Sequence, residues 1–215
     1  MKKSHSTILL AVALMLSMSH AVLANDYLEA MQKCIDAIYR ATHQAQLQDA
    51  VNKLERISAA EKDKWEPQYY VAFGYIMMTN LENDGAKKDQ FLDKALSAIG
   101  KAKSVAARES EIIALEGFVH MLRVSVDPES RGPEYSPKAI RAFTFASELD
   151  PGNPRALVLS ARMQFGTAQF FGTSTATACA LVEQSLEKFN TNKPKGPLAP
   201  AWGRAMAESL RQQCK

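Results

Sequence analysis

A pattern of small and large apolar residues recurs in this chain every 44 to 45 residues, and it leaves little choice of architecture. Ala50, Leu54 and Ile57 are followed by Ala95, Ile99 and Ala102, and these by Ala139, Phe143 and Ala146. Steps of four and then three residues put each set on one face of a helix, which needs a partner helix to bury it. The last set runs into Leu149-Asp150-Pro151-Gly152-Asn153-Pro154, where proline and glycine stop the helix. A second helical pattern precedes each set. It reads Tyr70-x2-Phe73-Gly74-x2-Met77, with Gly117 following 43 residues after Gly74 and Ala161 another 44 on. A small residue at that place lets the two helices of a hairpin approach closely. Glu116 breaks the apolar pattern in the third unit. The chain is expected to be all-α, with helices near 26–43, 46–60, 66–80, 87–105, 109–123, 136–149, 153–166, 176–190 and 199–213.

From Trp65 to Trp202 this spacing resembles tetratricopeptide-repeat (TPR) proteins, whose second helix carries A-x3-F ahead of a proline. A unit of that family has about 34 residues. The surplus here falls between the two helices of each hairpin, at 80–90, 123–137 and 166–177, where turn residues cluster. That position of the surplus favours the TPR pattern over HEAT or armadillo arrays of similar period. The resemblance implies a right-handed stack of about four hairpins with elongated intra-hairpin loops. A C-terminal helix beyond the proline-rich run Pro194 to Pro200 would cap the stack. Arg131-Gly132-x2-Tyr135-Ser136-Pro137, Phe170-Phe171-Gly172 and Trp202-Gly203 are similar to stretches in short exported bacterial proteins of this type. That likeness implies a binding role and no established enzymatic activity.

The N-terminus reads as an export signal. Lys2 and Lys3 precede the apolar run Ile8 to Leu16, and Val22 and Ala24 supply small residues before a cut expected after Ala24. The run is shorter than the ~20 residues that span a bilayer. Residues 25–215 are then one exported domain, periplasmic or secreted, with no membrane insertion expected. Cleavage removes two of the 26 basic residues and none of the 23 acidic ones. The remaining Lys and Arg are scattered, so the electrostatic footprint of a nucleic-acid partner is missing. Three cysteines follow the signal. Cys179 and Cys214 fall on adjacent helices and are expected to form a disulfide, leaving Cys34 free on the first hairpin.

Little in the chain points to catalysis. After processing, only His43 and His120 remain, without Cys, Glu or a second His at ligand spacing, so neither a metal nor any other cofactor is expected. Asn80-x-Glu82-x-Asp84-Gly85 imitates half of a calcium loop, but its twelfth position is Phe91 rather than a carboxylate. Ser185-x2-Lys188 has the spacing of penicillin-binding enzymes without their S-D-N and K-T-G partners, and both residues are expected on a helix surface. Glu109 and Glu111 sit at a helix start, where the helix dipole favours acids.

Two places could bind a partner. In tetratricopeptide proteins, peptides lie against the first helix of each hairpin. The matching positions here are Gln68, Tyr75 and Met78, then Glu111, Phe118 and Met121, then Arg155, Arg162 and Phe165, and all but Gln68 and Glu111 are the candidate binding residues. Together they would form an apolar groove with two arginines at one end, open to a peptide or protein partner or covered by the chain's own loops or cap. The other place is the loop edge, with Arg131, Tyr135, Phe170 and Phe171. These residues would either shape a pocket for a small molecule or glycan, or staple the long loops to the helices. The expected function is an exported interaction scaffold, with small-molecule or glycan binding as the alternative.

Overall fold

The computed structural model describes residues 26–214. The expected signal segment and its cut after Ala24 lie outside them. Residues 26–40 form α1, followed by α2 (Gln44–Ala60), α3 (Glu66–Leu81), α4 (Gly85–Val105), α5 (Ser110–Val126), α6 (Pro128–Leu149), α7 (Pro154–Phe171), α8 (Ala176–Thr191) and α9 (Arg204–Gln212). Helices α3 and α4, α5 and α6, and α7 and α8 pack as hairpins. Helix α5 also touches α3 on one side and α7 on the other, which makes these three the inner layer of the stack. The recurrent sets are the glue of each hairpin. Ala95, Ile99 and Ala102, like Ala139, Phe143 and Ala146, are at most 1 % exposed. No helix among the described residues is long and apolar enough to cross a membrane.

The surplus residues of each repeat lengthen helices rather than loops. The links within hairpins are residues 82–84, Asp127 alone, and residues 172–175, so the expected elongated loops are absent. The turn residues act as caps. The Asp84 carboxylate accepts the Lys87 N–H at 2.9 Å, and the Asp127 carboxylate accepts the Ser130 N–H at 3.3 Å. Gly172 takes the left-handed conformation that closes α7. The calcium-like stretch is thus a helix end followed by a capped start. Helix α6 begins eight residues earlier than its sequence pattern implies, because Pro133 lies inside it rather than before it, and Pro137, expected in its first turn, falls in its interior. An interior proline costs about 3 kcal/mol in an isolated helix, and side-chain contacts hold this segment in place. The Arg131 guanidinium donates to both carboxylate oxygens of Asp89 on α4, at 2.7 and 2.8 Å, and Arg123 joins the cluster through Asp89 and Asp93. The Tyr135 ring stacks on His120.

The motif before α7 is a cross-brace. The Asn153 side-chain oxygen caps α7 by accepting the N–H groups of Arg155 and Ala156, while its amide donates to Ser110 Oγ at 2.9 Å. Ser110 in turn donates to the Ala146 carbonyl, tying α5, α6 and α7 together. Ser185 is buried, not on the surface as its helix position suggested, and donates to the Pro154 carbonyl at 2.9 Å. A Cys179–Cys214 disulfide joins α8 to the residues after α9, and Cys34 is a buried free thiol.

Two measurable consequences follow from this packing. A Cβ at Gly117 would overlap the Phe143 ring and approach Ala142 Cβ to 3.1 Å, so Gly117→Leu should lower stability by about 1–3 kcal/mol in denaturant titration. A hydrogen bond from Arg131, with the charges of Arg131 and Arg123, holds the Asp89 carboxyl below its ordinary pKa against a smaller effect of burial. As pH falls, the unfolded chain takes up that proton before the folded one. The stability supplied by Asp89 is therefore complete above the ordinary aspartate range and disappears below it. Urea titrations should show Asp89→Asn weaker than wild type by about 1–2 kcal/mol at pH 7, with the gap closing toward pH 3.

Candidate functional site

The inner face is where the sequence places a groove, and it is filled by the chain itself. After α8, prolines at 194, 197 and 200 prevent a helix. Residues 192–203 run instead as a non-helical strap, with one turn at 196–199, across the inner layer before α9 begins, five residues later than the sequence pattern implied. Trp202 anchors the strap. Its ring stacks on Phe73 at 5.1 Å and on Phe118 at 5.8 Å between centroids, and its Nε1–H donates to the Tyr69 hydroxyl at 2.9 Å. The Tyr70 hydroxyl donates to the Leu198 carbonyl at 2.8 Å, and the Ala201 N–H donates to the Tyr39 hydroxyl. Burial pushes the Tyr69 and Tyr70 hydroxyls far above their ordinary pKa, so both remain proton donors.

The seven groove residues therefore divide. Phe118 lies under Trp202. Phe165 is buried in a second core with Val158, Val182 and Leu210, covered by α9. Met78 and Met121 are part of the main core. Tyr75 stacks on Phe91 of α4 and lies beneath the Lys94 ammonium. The two arginines do not converge. Arg162 is exposed, whereas Arg155 is buried and donates to both Glu111 oxygens, at 2.7 and 2.6 Å. At the loop edge, Arg131 and Tyr135 are spent on packing α6. Phe170 and Phe171 are 56 % and 70 % exposed and meet edge to face.

Beside the strap opens a cleft of about 980 Å³. One wall is the strap itself, Lys193 to Ala201. The opposite wall is built from the starts of α3, α5 and α7 with their preceding turns, including Glu66, Glu109, Glu111, Asp150 and Arg155. Helix α1 and the α2–α3 turn contribute Tyr27, Leu28, Lys64 and Trp65, and α8 and α9 contribute Lys188, Phe189 and Arg204. The cleft thus combines aromatic rings with charges of both signs, six basic residues and five acidic ones. Arg155 and Lys195 are paired with Glu111 and Asp150, whereas Lys188, Lys193 and Arg204 have no partner among the lining acids. Arg155 forms part of the floor, and its guanidinium and that of Arg204 each lie over the Phe189 ring, at 6.0 and 5.5 Å. Burial, and then the charges of Glu66, Glu61 and Asp63, push the Tyr27 hydroxyl well above its ordinary pKa. Among the described residues lining the cleft, none is His, Met or Cys.

Apart from Glu111 and Arg155, which hold the same place 44 residues apart, and Asp150 and Pro154 of the proline-bounded motif, these cleft residues lie outside the repeat pattern. The usable signal was the proline run followed by Trp202-Gly203, which marks a non-helical segment that must lie against something.

No protein-family model matches the chain, and no curated protein matches it by sequence. Among solved structures it is similar to the HusA haemophore of Porphyromonas gingivalis. That match has 28 % identity and a TM-score of 0.78, and it covers 88 % of this chain and 92 % of that one. It is also similar in fold to TTC0263, a TPR protein of Thermus thermophilus. Here the identity is 16 % and the TM-score 0.55, over 69 % of this chain and 68 % of the other. With its hairpin stack and these neighbours, the chain is a TPR-like helical-repeat protein.

Proposed function

We propose that the protein is an exported carrier of a large, flat, apolar ligand with carboxylate groups, a tetrapyrrole of the haem class, held in the cleft beside the strap. The observation that carries this reading is that aromatic rings, and cations without a partner among the lining acids, line one cleft. Tyr27 and Trp65 offer faces for a planar ring, and Lys188, Lys193 and Arg204 offer charge to carboxylates. Its volume lies at the upper end of the ~300–1,000 Å³ typical of small-molecule sites. The likeness to a haemophore over 88 % of this chain supports the same ligand class. Export is supported by the signal-like N-terminus and by a disulfide, which persists in oxidising compartments. The role is binding without catalysis.

The lining also says how such a ligand would be recognised. Its described residues include no imidazole, thioether or thiol, and its Tyr27 hydroxyl resists deprotonation. Affinity would then come from the ring and the carboxylates rather than from an iron bond. Absorbance titration should give haem and metal-free protoporphyrin affinities within about tenfold of each other. The dimethyl ester should bind at least several-fold more weakly. Arg204→Ala should cost about 1 kcal/mol, roughly fivefold in Kd, and His120→Ala should change nothing. Absence of binding by both porphyrins, or loss of haem binding in His120→Ala, would refute the reading.

A protein partner is the second reading, favoured by the exposed Phe170–Phe171 pair at the end of α7. A Phe170→Ala, Phe171→Ala double variant would then lose capture of an envelope protein while binding porphyrin normally.

A further inference from the structure

The strap has two unequal halves. From Leu198 onward it is seated: Leu198 and Pro200 are buried, and Trp202 is stacked and hydrogen-bonded. Residues 192–197 are all exposed. They are fastened by two links to the turn between α6 and α7. The Lys195 ammonium pairs with Asp150 Oδ2 at 2.8 Å, and the Asn192 amide donates to the Gly152 carbonyl at 2.8 Å. Lys195 belongs to one wall of the cleft and Asp150 to the other, so this ion pair bridges the opening. Next to Lys195, Gly196 would meet nothing within 4 Å if it carried a Cβ, and its carbonyl accepts the Ala199 N–H at 3.2 Å, so the seated half is tied back to Gly196 with open space before it.

We propose that residues 192–195 are a lid over the cleft, latched by the Lys195–Asp150 ion pair and moving between its anchors at the end of α8 and at Gly196 while Leu198 to Trp202 stay in place. The lid acts on ligand entry only if the cleft is the ligand site, as argued above, but its opening needs no ligand. An ion pair with Lys195 67 % exposed is weak and is screened by salt, which suits a latch that must release. Asp150 is also held in place independently, because its other oxygen accepts the Gly152 N–H at 2.9 Å. Asp150→Asn therefore keeps the turn while removing the latch charge.

Limited trypsin digestion of the full folded chain reads the lid directly. Lys195 is followed by Gly196 and can be cut, whereas Lys193 is followed by Pro194 and resists. With rates normalised to a small substrate, cutting after Lys195 in wild type should rise about two- to fivefold from low to high salt. Asp150→Asn should already be faster at low salt by a similar factor and should ignore salt. Lys195→Arg, which keeps both the ion pair and a cleavable bond, should behave as wild type. Equal, salt-independent cutting of all three overturns the lid, as does faster cutting that merely tracks a lowered melting temperature. Stopped-flow mixing with protoporphyrin then tests the coupling: association should be faster in Asp150→Asn by the factor seen in cutting. If the digestion behaves as expected but protoporphyrin never binds, the lid stands and the cargo assignment fails.

Discussion

The stacking of Trp202 on Phe73 and Phe118 is the contact on which the rest of this molecule depends. A stack of helical hairpins has an inner face that its own repeats cannot cover, and here that face carries aromatic side chains from α3 and α5. Exposed to water, such a surface would be an aggregation hazard or a binding site. Trp202 converts it into core. Large rings bury much area for few frozen torsions, and the Nε1–H finds the Tyr69 hydroxyl, so no polar atom is stranded. The strap can then be proline-rich and non-helical. Its two inner backbone groups are satisfied by Tyr70 and Tyr39 rather than by a helix or sheet.

Seating the strap has an electrostatic counterpart. Arg155, nearly removed from solvent, would be costly without its paired bonds to Glu111. That pair joins the starts of α5 and α7 and fixes the floor of the cleft. The polar floor and the apolar inner face are covered by the same twelve-residue connection (192–203), and so groove and cleft are one construction. A position that binds peptide in a tetratricopeptide groove is here used internally, and the remaining opening lies at the helix starts.

The repeat was legible because burial enforces it. Ala95, Ile99 and Ala102 can only be arranged as they are if a partner helix covers them, and a fixed interval between such sets means stacking. What hid behind the sequence pattern were departures from local propensity that tertiary contacts decide. Pro133 reads as a breaker and Pro137 as a first-turn residue, yet α6 runs through both, held by Arg131 on Asp89 and Tyr135 on His120. Ser185 reads as a surface residue because its neighbours are polar, but the buried Pro154 carbonyl requires a donor at that point. The pairing of Arg155 with Arg162 failed for a different reason. Seven residues apart, the two share a helix face, but Glu111 claims the first from a neighbouring helix and leaves the second in solvent. The cleft was not legible, since its lining comes from six helices, the turns beside them and the strap, with no common spacing.

The central claim is that ligand occupies the cleft while the inner groove stays filled by the strap, and porphyrin ring currents can separate the two directly. They shift nearby proton resonances strongly and fade within several ångströms. Protein labelled at its aromatic side chains and titrated with metal-free protoporphyrin should show large shifts at Trp65, Tyr27 and Phe189, with Phe118 and Phe165 essentially unmoved. Large shifts at Phe118 and Phe165 with Trp65 and Phe189 unchanged would mean that the ligand displaces Trp202 from the groove, and would contradict the account.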